Sequence, residues 1–216
     1  GNQTLRKDIE GMNENVLLIP TPVDTACYVP RPERYRQKER LTILWSGNCS
    51  GYFDLKIAAP ALRELCRSGR CTCTILGDVY DKSLEEALAG IEINFVPWSV
   101  ENEQKAFSEA DIGIMPQHDI LWNRRKCAYK ALLYMACGIP VVTSAVGMTT
   151  EFLIDGENGY LAGNDGEWQE KLALLVHDVG LREKIGMAGR KTVEEKFSLA
   201  VWGPRWAQAV QGVLKA

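Results

Sequence analysis

Two lysines, Lys126 and Lys130, are the side chains of this sequence whose type and spacing point most directly to chemistry. They lie four positions apart, so on a helix they would project from one face. Arg124 and Arg125 come directly before them. Several cations at the edge of a cleft would attract and hold a phosphate group. The segment therefore predicts a binding site for a phosphate-bearing ligand.

A second predicted anion site lies a short way downstream. Residues 140–144 are rich in valine and predict a buried strand. Gly147, Met148 and Thr149 follow this strand and lead into a predicted helix that contains Glu151. Free backbone N–H groups at such a helix start can bind an anion. We therefore expect the amides of this turn to meet the same phosphate as the lysines.

The composition is that of a soluble globular domain and argues against several classes of protein. The 216 residues are 46% hydrophobic and 25% charged, with a net charge of −3, so no basic field would recruit nucleic acid. No apolar run approaches the roughly 20 residues of a membrane span. The seven cysteines are odd in number, which favours reduced thiols and a cytoplasmic location. They complete no zinc-ligand pattern, so we expect no metal.

Strand-like and helix-like patterns alternate along most of the chain. Strands are predicted at residues 41–45, 71–76, 91–96, 112–115, 140–144 and 160–162, with a further strand-like run at 16–20. Helices are predicted at residues 53–68, 84–89 and 101–110, around the two lysines, and at 167–176, 181–197 and 202–214. This order predicts the α/β class, with a doubly wound, Rossmann-like parallel sheet of about six strands and a helical C-terminal part.

In a sheet of this kind, ligands bind at the carboxyl ends of the strands. The loops expected at that edge contain Gly47 and Asn48 in one case and Pro97 and Trp98 in another. The spacing of Gly47 and Gly51 matches neither the P-loop nor the Gly-x-Gly-x-x-Gly dinucleotide fingerprint. These absences argue against a P-loop NTPase and against a standard NAD-dependent enzyme.

Residues 126–162 carry a resemblance to a known family. Their sequence, KCAYKALLYMACGIPVVTSAVGMTTEFLIDGENGYLA, resembles the donor-binding signature of the retaining GT-B glycosyltransferases of group 1. Supporting similarity lies upstream in VPWSVENEQKAFSEADIGIMP and downstream in WQEKLALLVHD and LREKIGMAGRKTVEEKFS, so the resemblance runs from Leu41 to the C-terminus. The segment NVLLIPTPVDTACYVP is similar to the family's interdomain connection. The resemblance thus implies that residues 1–40 are the end of a missing N-terminal acceptor domain plus a linker, and that residues 41–216 bind the donor.

The resemblance implies a glycosyltransferase that moves a sugar from a nucleotide-diphosphate sugar to an acceptor with retention, in cell-envelope polysaccharide biosynthesis. Lys130, then Lys126, then Arg125 are expected to stabilise the leaving diphosphate. The donor-binding set is expected to comprise Gly47, Asn48, Pro97, Trp98, Gly147, Met148, Thr149 and Glu151, with the base and ribose over Pro97 and Trp98. No cofactor, metal or nucleic acid is expected. The isolated domain would be inactive without its acceptor domain, and peripheral membrane association through the full-length protein stays open.

One departure from the family pattern puts the ribose contact and the donor identity in doubt. The family typically carries two glutamates in this segment, and the corresponding positions here are Arg125 and Leu133. A non-catalytic module that binds nucleotide sugars therefore stays an alternative, as does a nucleotide-sugar epimerase of related fold. A flavodoxin-like or receiver-like signalling domain is disfavoured, because residues 46–48 lack the acidic cluster that such a domain needs.

Overall fold

Six parallel strands form one sheet. The structure, a computed structural model, describes residues 1–214. The strands are β1 (Leu41–Ser46), β2 (Cys71–Gly77), β3 (Ile93–Pro97), β4 (Ile112–Met115), β5 (Val141–Ser144) and β6 (Tyr160–Ala162). Their order in the sheet is β3-β2-β1-β4-β5-β6. The predicted α/β class with a Rossmann-like, doubly wound parallel sheet of six strands is confirmed.

Helices cover both faces of this sheet. They are α1 (Gln3–Glu10), α2 (Tyr52–Leu55), α3 (Ala59–Arg67), α4 (Lys82–Ala87), α5 (Val100–Glu109), α6 (Leu121–Arg124), α7 (Tyr129–Ala136), α8 (Thr149–Phe152), α9 (Asp165–His177), α10 (Val179–Lys196) and α11 (Leu199–Leu214). One face buries a core around Leu62 and Trp168, and the other buries a core around Phe107 and Tyr134. The strands are apolar on both sides because both faces are covered.

Gly113 allows α7, which contains Lys130, to lie directly on β4. A Cβ atom at Gly113 would lie 2.6 Å from the ring of Tyr134, so no larger residue fits there without displacing the helix. This close approach fixes the start of α7 next to the carboxyl end of β1, because β1 and β4 are adjacent strands.

Two predicted elements differ from the structure. The helix expected over residues 53–68 is divided into α2 and α3, because Pro60 has no N–H group to donate to the preceding turn and lies in the first turn of α3. The strand-like run at residues 16–20 is not a strand. It has no ladder partner, and in this segment only Val23, just beyond it, forms an isolated bridge, to Ser198.

The segment expected to be a linker, residues 1–40, packs on the sheet domain. Arg34 is buried and donates to the carbonyl oxygens of Phe107 and Ala110, at 2.9 and 2.8 Å. Arg190 donates from α10 to the carbonyl oxygen of Thr25 at 3.0 Å. These buried guanidinium contacts hold the segment in place, since an unpaired buried cation would be costly. Its assignment as an interdomain linker stays a prediction.

Within residues 1–214, no helix combines the length and the apolar character that crossing a membrane requires.

Candidate functional site

The strand order reverses between β1 and β4, and the crevice at this point is where ligands bind in open parallel sheets. Two cavities adjoin there, which we call the β4-side cavity, of about 400 Å³, and the β3-side cavity, of about 480 Å³. Lys130, Tyr129 and Asn48 line both of them. Lys130 is therefore placed between two spaces that a single elongated ligand could fill.

Lys130 is held in a partly buried position without a counter-ion. Its Nζ atom lies 5.1 Å from the centre of the Trp45 ring, a distance at which a cation is attracted to an aromatic face. It forms no ion pair with a carboxylate of the described residues. Burial, followed by the nearby charge of Lys126, lowers the pKa of Lys130 to about 8. An anion bound here would relieve both effects.

Gly47 leaves the space that this lysine occupies. A Cβ atom at Gly47 would lie 2.2 Å from Trp45 and 2.6 Å from the Nζ atom of Lys130. The N–H group of Gly47 donates to the carbonyl oxygen of Leu76 at 3.0 Å, so this amide is not free for a phosphate. The structure therefore places Gly47 in the site as a spacer beside Lys130.

Lys126 lines the β4-side cavity with Lys130, but the two do not share a helix face as their spacing predicts. Helix α7 begins at Tyr129, so Lys126 precedes it, in the turn that follows α6. Ala128, which lies between the two lysines, adopts the left-handed conformation, with φ of 49°. A non-glycine residue in this region carries a strain energy and occurs there mainly at functional sites and tight turns. The turn that contains Ala128 thus lies between two lysines that line the same cavity.

Arg125 lines the same cavity but has a partner in the N-terminal helix. Its Nε atom is 2.8 Å from a carboxylate oxygen of Asp8. Arg124, next to it, is paired with Asp119 on the surface. Part of the charge of Arg125 is therefore already balanced by Asp8.

Asn2, which the sequence did not single out, fixes the turn that carries these cations. Asn2 is only 1% exposed. Its Nδ2 atom donates to the carbonyl oxygens of Arg124 and Lys126, at 2.8 and 2.9 Å. Its Oδ1 atom accepts from the N–H of Leu5 and caps α1. One buried amide thus joins the start of the chain to the turn before Lys130.

The turn after β5 is placed differently from the lysines. Gly147 has φ of +57°, and a Cβ atom there would lie 2.8 Å from the backbone of Arg124. Thr149 is fully buried, and its Oγ1 atom lies 2.8 Å from the carbonyl oxygen of Ser144. The amides of Gly147, Met148 and Thr149 donate no hydrogen bond within the described residues. However, none of these residues lines either cavity beside Lys130.

Met148 and Glu151 line another cavity, next to the N-terminal segment and Trp202. A carboxylate oxygen of Glu151 accepts from the N–H of Gln3 at 3.2 Å. The structure does not bring these two side chains together with the lysines, so their role in donor binding stays a prediction that the geometry does not support.

Trp98, Asn48 and Leu133 line the β3-side cavity with Lys130, whereas Pro97 does not line it. The indole N–H of Trp98 donates to Glu103 at 2.9 Å. Leu133, at a position where the resemblance implies a glutamate, is buried, so this part of the wall is apolar.

Three polar residues of the β4 side form a constellation that the sequence did not reveal. Asp54, on α2, accepts from the N–H and from Nδ1 of His118, at 2.9 and 2.8 Å. Asn123, on α6, donates to the same carboxylate at 3.3 Å. Asp54 is far in sequence from the other two residues and meets them because β1 and β4 are neighbours. Asp54 lines the β4-side cavity.

Among residues 1–214, no group of three or more His, Cys, Asp or Glu side chains is placed to hold a metal ion. The expectation that the site uses no metal stays a prediction.

A family model described as glycosyl transferases group 1 matches residues 40–178, which is more than half of the chain. The uncharacterized glycosyltransferase MJ1178 of Methanocaldococcus jannaschii is 39% identical over 83 residues, or 38% of this chain and 21% of that protein. The capsular polysaccharide biosynthesis glycosyltransferase CapM of Staphylococcus aureus is 40% identical over 65 residues, or 29% of this chain and 17% of CapM. The matched stretch is therefore a small part of either relative.

Solved structures share the fold. The C-terminal domain of LpcC, a glycosyl transferase group 1 family protein from Francisella tularensis, has a TM-score of 0.62 at 21% identity, covering 82% of this chain and 99% of that one. A glycosyltransferase from Rickettsia africae has a TM-score of 0.81 at 17% identity, covering 99% and 62%. Alr3699/HepE from Anabaena, solved in complex with UDP and glucose, has a TM-score of 0.72 at 16% identity, covering 88% and 55%.

Proposed function

Because the chain belongs to the group 1 glycosyltransferases, we propose that it binds a nucleotide-diphosphate sugar and forms the donor half of an enzyme that transfers the sugar with retention. The chain covers only 62% of its relative from Rickettsia africae. The acceptor, the acceptor-binding domain and the activity of the whole enzyme are therefore part of the proposal. The name of CapM supports a polysaccharide as the product, and a cytoplasmic location is proposed with it.

The observation that carries this proposal is the unpaired, partly buried ammonium group of Lys130 between two cavities at the switch point of the sheet. Lys126 adds a second cation to the β4-side cavity. A diphosphate at this place would give both lysines a counter-ion, and the two cavities would receive the groups on either side of it. This arrangement fits a ligand with a charged middle and two uncharged ends.

The same cations can serve the reaction. Charge grows on the diphosphate as its bond to the sugar breaks, so a fixed cation stabilises the transition state more than the ground state. At an effective dielectric constant of 20, a cation at 4 Å contributes about 4 kcal/mol, and desolvation reduces the part that appears in the rate. In the retaining mechanism that we propose, the departing phosphate takes the proton of the acceptor. The chain then needs no nucleophile of its own.

Calorimetric titration with UDP, GDP and ADP tests the proposal, and UDP is the first choice because the Anabaena relative was solved with it. We expect one nucleotide to bind, and Lys130→Ala to weaken it about 100-fold, since a buried charge contact is removed. Lys56→Ala is the matched control, because Lys56 also lies 5.1 Å from an aromatic ring, that of Phe53, but lines neither cavity. Absence of binding by all three nucleotides would refute the proposal, and indifference to Lys130→Ala would refute the role of Lys130.

The alternatives differ in the fate of the bound sugar. A non-catalytic module would bind the nucleotide sugar but transfer nothing when joined to an acceptor domain. An epimerase would change the sugar while it stays attached to the nucleotide, which product analysis by NMR would detect. Asp54 and His118 supply one carboxylate and one histidine, but Asp54 is the only acidic residue among those that line the β4-side cavity in residues 1–214. The geometry therefore favours the glycosyltransferase.

A further inference from the structure

We propose that the β4-side cavity receives the sugar of the donor, and that Asp54 determines which sugar is accepted by accepting a hydrogen bond from a sugar hydroxyl. The inference rests on the proposed function and adds to it a place and a specificity residue for the glycosyl group. It is carried by the hydrogen-bond arrangement of the carboxylate and by the chemistry of the cavity wall.

Asp54 is nearly buried yet has unused acceptor capacity. Its side chain is 11% exposed. The Oδ1 atom accepts two hydrogen bonds from His118, through the backbone N–H and Nδ1, whereas Oδ2 has one long contact of 3.3 Å, from Asn123. A carboxylate can accept about four hydrogen bonds. These two neighbours therefore orient the group and leave room for a donor from the cavity.

Glu103, on the wall of the β3-side cavity, differs from Asp54 in that both of its carboxylate oxygens already accept short hydrogen bonds. One carboxylate oxygen accepts from the hydroxyl of Tyr28 at 2.6 Å, and the other accepts from the indole of Trp98 at 2.9 Å. Each oxygen already has a short, direct donor, so this carboxylate fixes two aromatic side chains. Of these two acids, Asp54 is the better placed to recognise a ligand.

The wall around Asp54 fits a neutral polyol better than a phosphate. A carboxylate repels a phosphate group, but it accepts strongly from a hydroxyl. Gln117 is buried, and its side-chain amide has no hydrogen-bond partner within the described residues, so it offers a donor and an acceptor. Trp122 is 71% exposed and gives the cavity a flat apolar surface. The volume, about 400 Å³, lies within the range of about 300–1,000 Å³ that is usual for small-molecule sites.

The two lysines place this wall next to the reacting bond. Lys126 and Lys130 line the same cavity as Asp54. A diphosphate held by them would direct its glycosyl end toward Asp54 if its nucleoside lies on the β3 side with Trp98. The carboxylate would then accept a hydrogen bond from a hydroxyl of the sugar and take no part in bond cleavage.

The test compares the bare nucleotide with its sugar donors. Dissociation constants of UDP, UDP-glucose, UDP-galactose and UDP-N-acetylglucosamine are measured for the wild type, Asp54→Asn and Glu103→Gln; GDP-mannose or ADP-glucose replaces them if GDP or ADP is the nucleotide bound. We expect Asp54→Asn to weaken at least one sugar donor about tenfold, because a hydrogen bond to a charged group is lost, while UDP is bound as before. Glu103→Gln should change UDP and its donors by the same factor.

Two outcomes would overturn the inference. One is an equal effect of Asp54→Asn on UDP and on every sugar donor, and the other is an unchanged affinity for all of them. Either can occur while UDP still binds in a Lys130-dependent way, so the inference can fail while the proposed function holds. Absence of nucleotide binding by the wild type would instead refute both.

A second variant decides the matter if Asp54→Asn does not fold. Trp122→Ala removes an exposed side chain and should leave the fold intact. We expect it to weaken the same sugar donor several-fold without weakening UDP, because the apolar wall is lost. Trp206→Ala is the control, since Trp206 is also exposed and does not line this cavity. Equal affinities in Trp122→Ala, Trp206→Ala and the wild type would contradict the proposed sugar site.

Discussion

Two segments of this chain looked equally suited to hold a phosphate, and the structure treats them differently. The lysine segment, residues 125–130, follows α6 and lines the cavities at the switch point. The glycine loop, residues 145–149, follows β5 and packs against the backbone of Arg124. The first presents charged side chains to an open space. In the second, the side chains of Val146, Met148 and Thr149 are buried, and three amides have no hydrogen-bond partner among the described residues.

The difference indicates that Gly147 supports the lysine segment, whereas binding of a phosphate by the amides of residues 147–149 stays a prediction. Gly147 allows the two backbones to approach closely, and the site would be displaced if they separated. A glycine at the edge of a parallel sheet therefore has two possible uses, ligand approach and backbone packing. Its neighbours in space decide between them.

The largest effect that would sharpen this comparison is expected from Gly147→Ala. The new Cβ atom would be 2.8 Å from Arg124 in a left-handed residue, so we expect a loss of about 3 kcal/mol in the free energy of unfolding, measured with urea. Gly156→Ala is the control, because Gly156 also has positive φ, +76°, but its Cβ atom would meet only Tyr160, at 3.9 Å. It should cost about 1 kcal/mol. Equal losses in both variants would argue against the support role.

The pH dependence of nucleotide binding tests the lysine segment. Lys130 must be charged to hold a diphosphate, and its pKa in the free protein is lowered to about 8. The affinity for UDP should therefore be constant below this pH and fall as the pH rises through it, by up to about tenfold per pH unit. Lys130→Arg keeps its charge throughout, so its affinity should stay level between pH 7 and 9. A wild-type affinity that stays level over this range would contradict the assignment.

Asn2 should have a smaller effect, because it acts on the ligand only through the turn that it holds. Asn2→Asp keeps an oxygen that caps α1 but loses the two donated hydrogen bonds to Arg124 and Lys126. We expect it to weaken UDP binding about fivefold, and we expect Asn2→Ala, which loses the same two hydrogen bonds, to weaken it as well. Asn13→Ala serves as an exposed control. If Asn2→Asp binds UDP like the wild type, Asn2 is only a helix cap.

The smallest expected effect is a change in the NMR chemical shifts of backbone amides. On addition of UDP, the backbone amide resonances of residues 126–130 should shift more than those of 147–149, because only the former lie at the cavities. This is measured by two-dimensional NMR of the nitrogen-labelled protein. Larger shifts at 147–149 would instead support direct binding of the phosphate by the amides of the glycine loop.

The regular parts of the fold were predictable because they depend on local patterns. The alternation of apolar runs and helices located the six strands, and two of them, Ile112–Met115 and Tyr160–Ala162, have the predicted bounds. The helix around residues 53–68 was predicted as continuous, although Pro60 within it was a visible signal for a break. The C-terminal helices were predicted within a few residues of their observed ends.

The site was predictable only where a single segment forms it. Lys126 and Lys130 were found from their types, but the turn at Ala128 was not, since alanine rarely adopts the left-handed conformation. The contact of Asp54 with His118 joins residues 64 positions apart, and no periodicity signals it. A carboxylate at position 54 in an amphipathic helix is ordinarily solvent-exposed, so its burial is a result of tertiary packing alone.

The side chain of Asn2 reaches carbonyl groups 122 and 124 positions further along the chain. Contacts of such long range form after the local ones during folding, because the entropy of closing a large loop is lost before the contact itself contributes any stabilisation. The turn that carries Lys126 is thus expected to become rigid only when the sheet and its covering helices are already assembled. Nucleotide affinity would then appear last in a refolding experiment, after secondary structure and the core have reached their final signals.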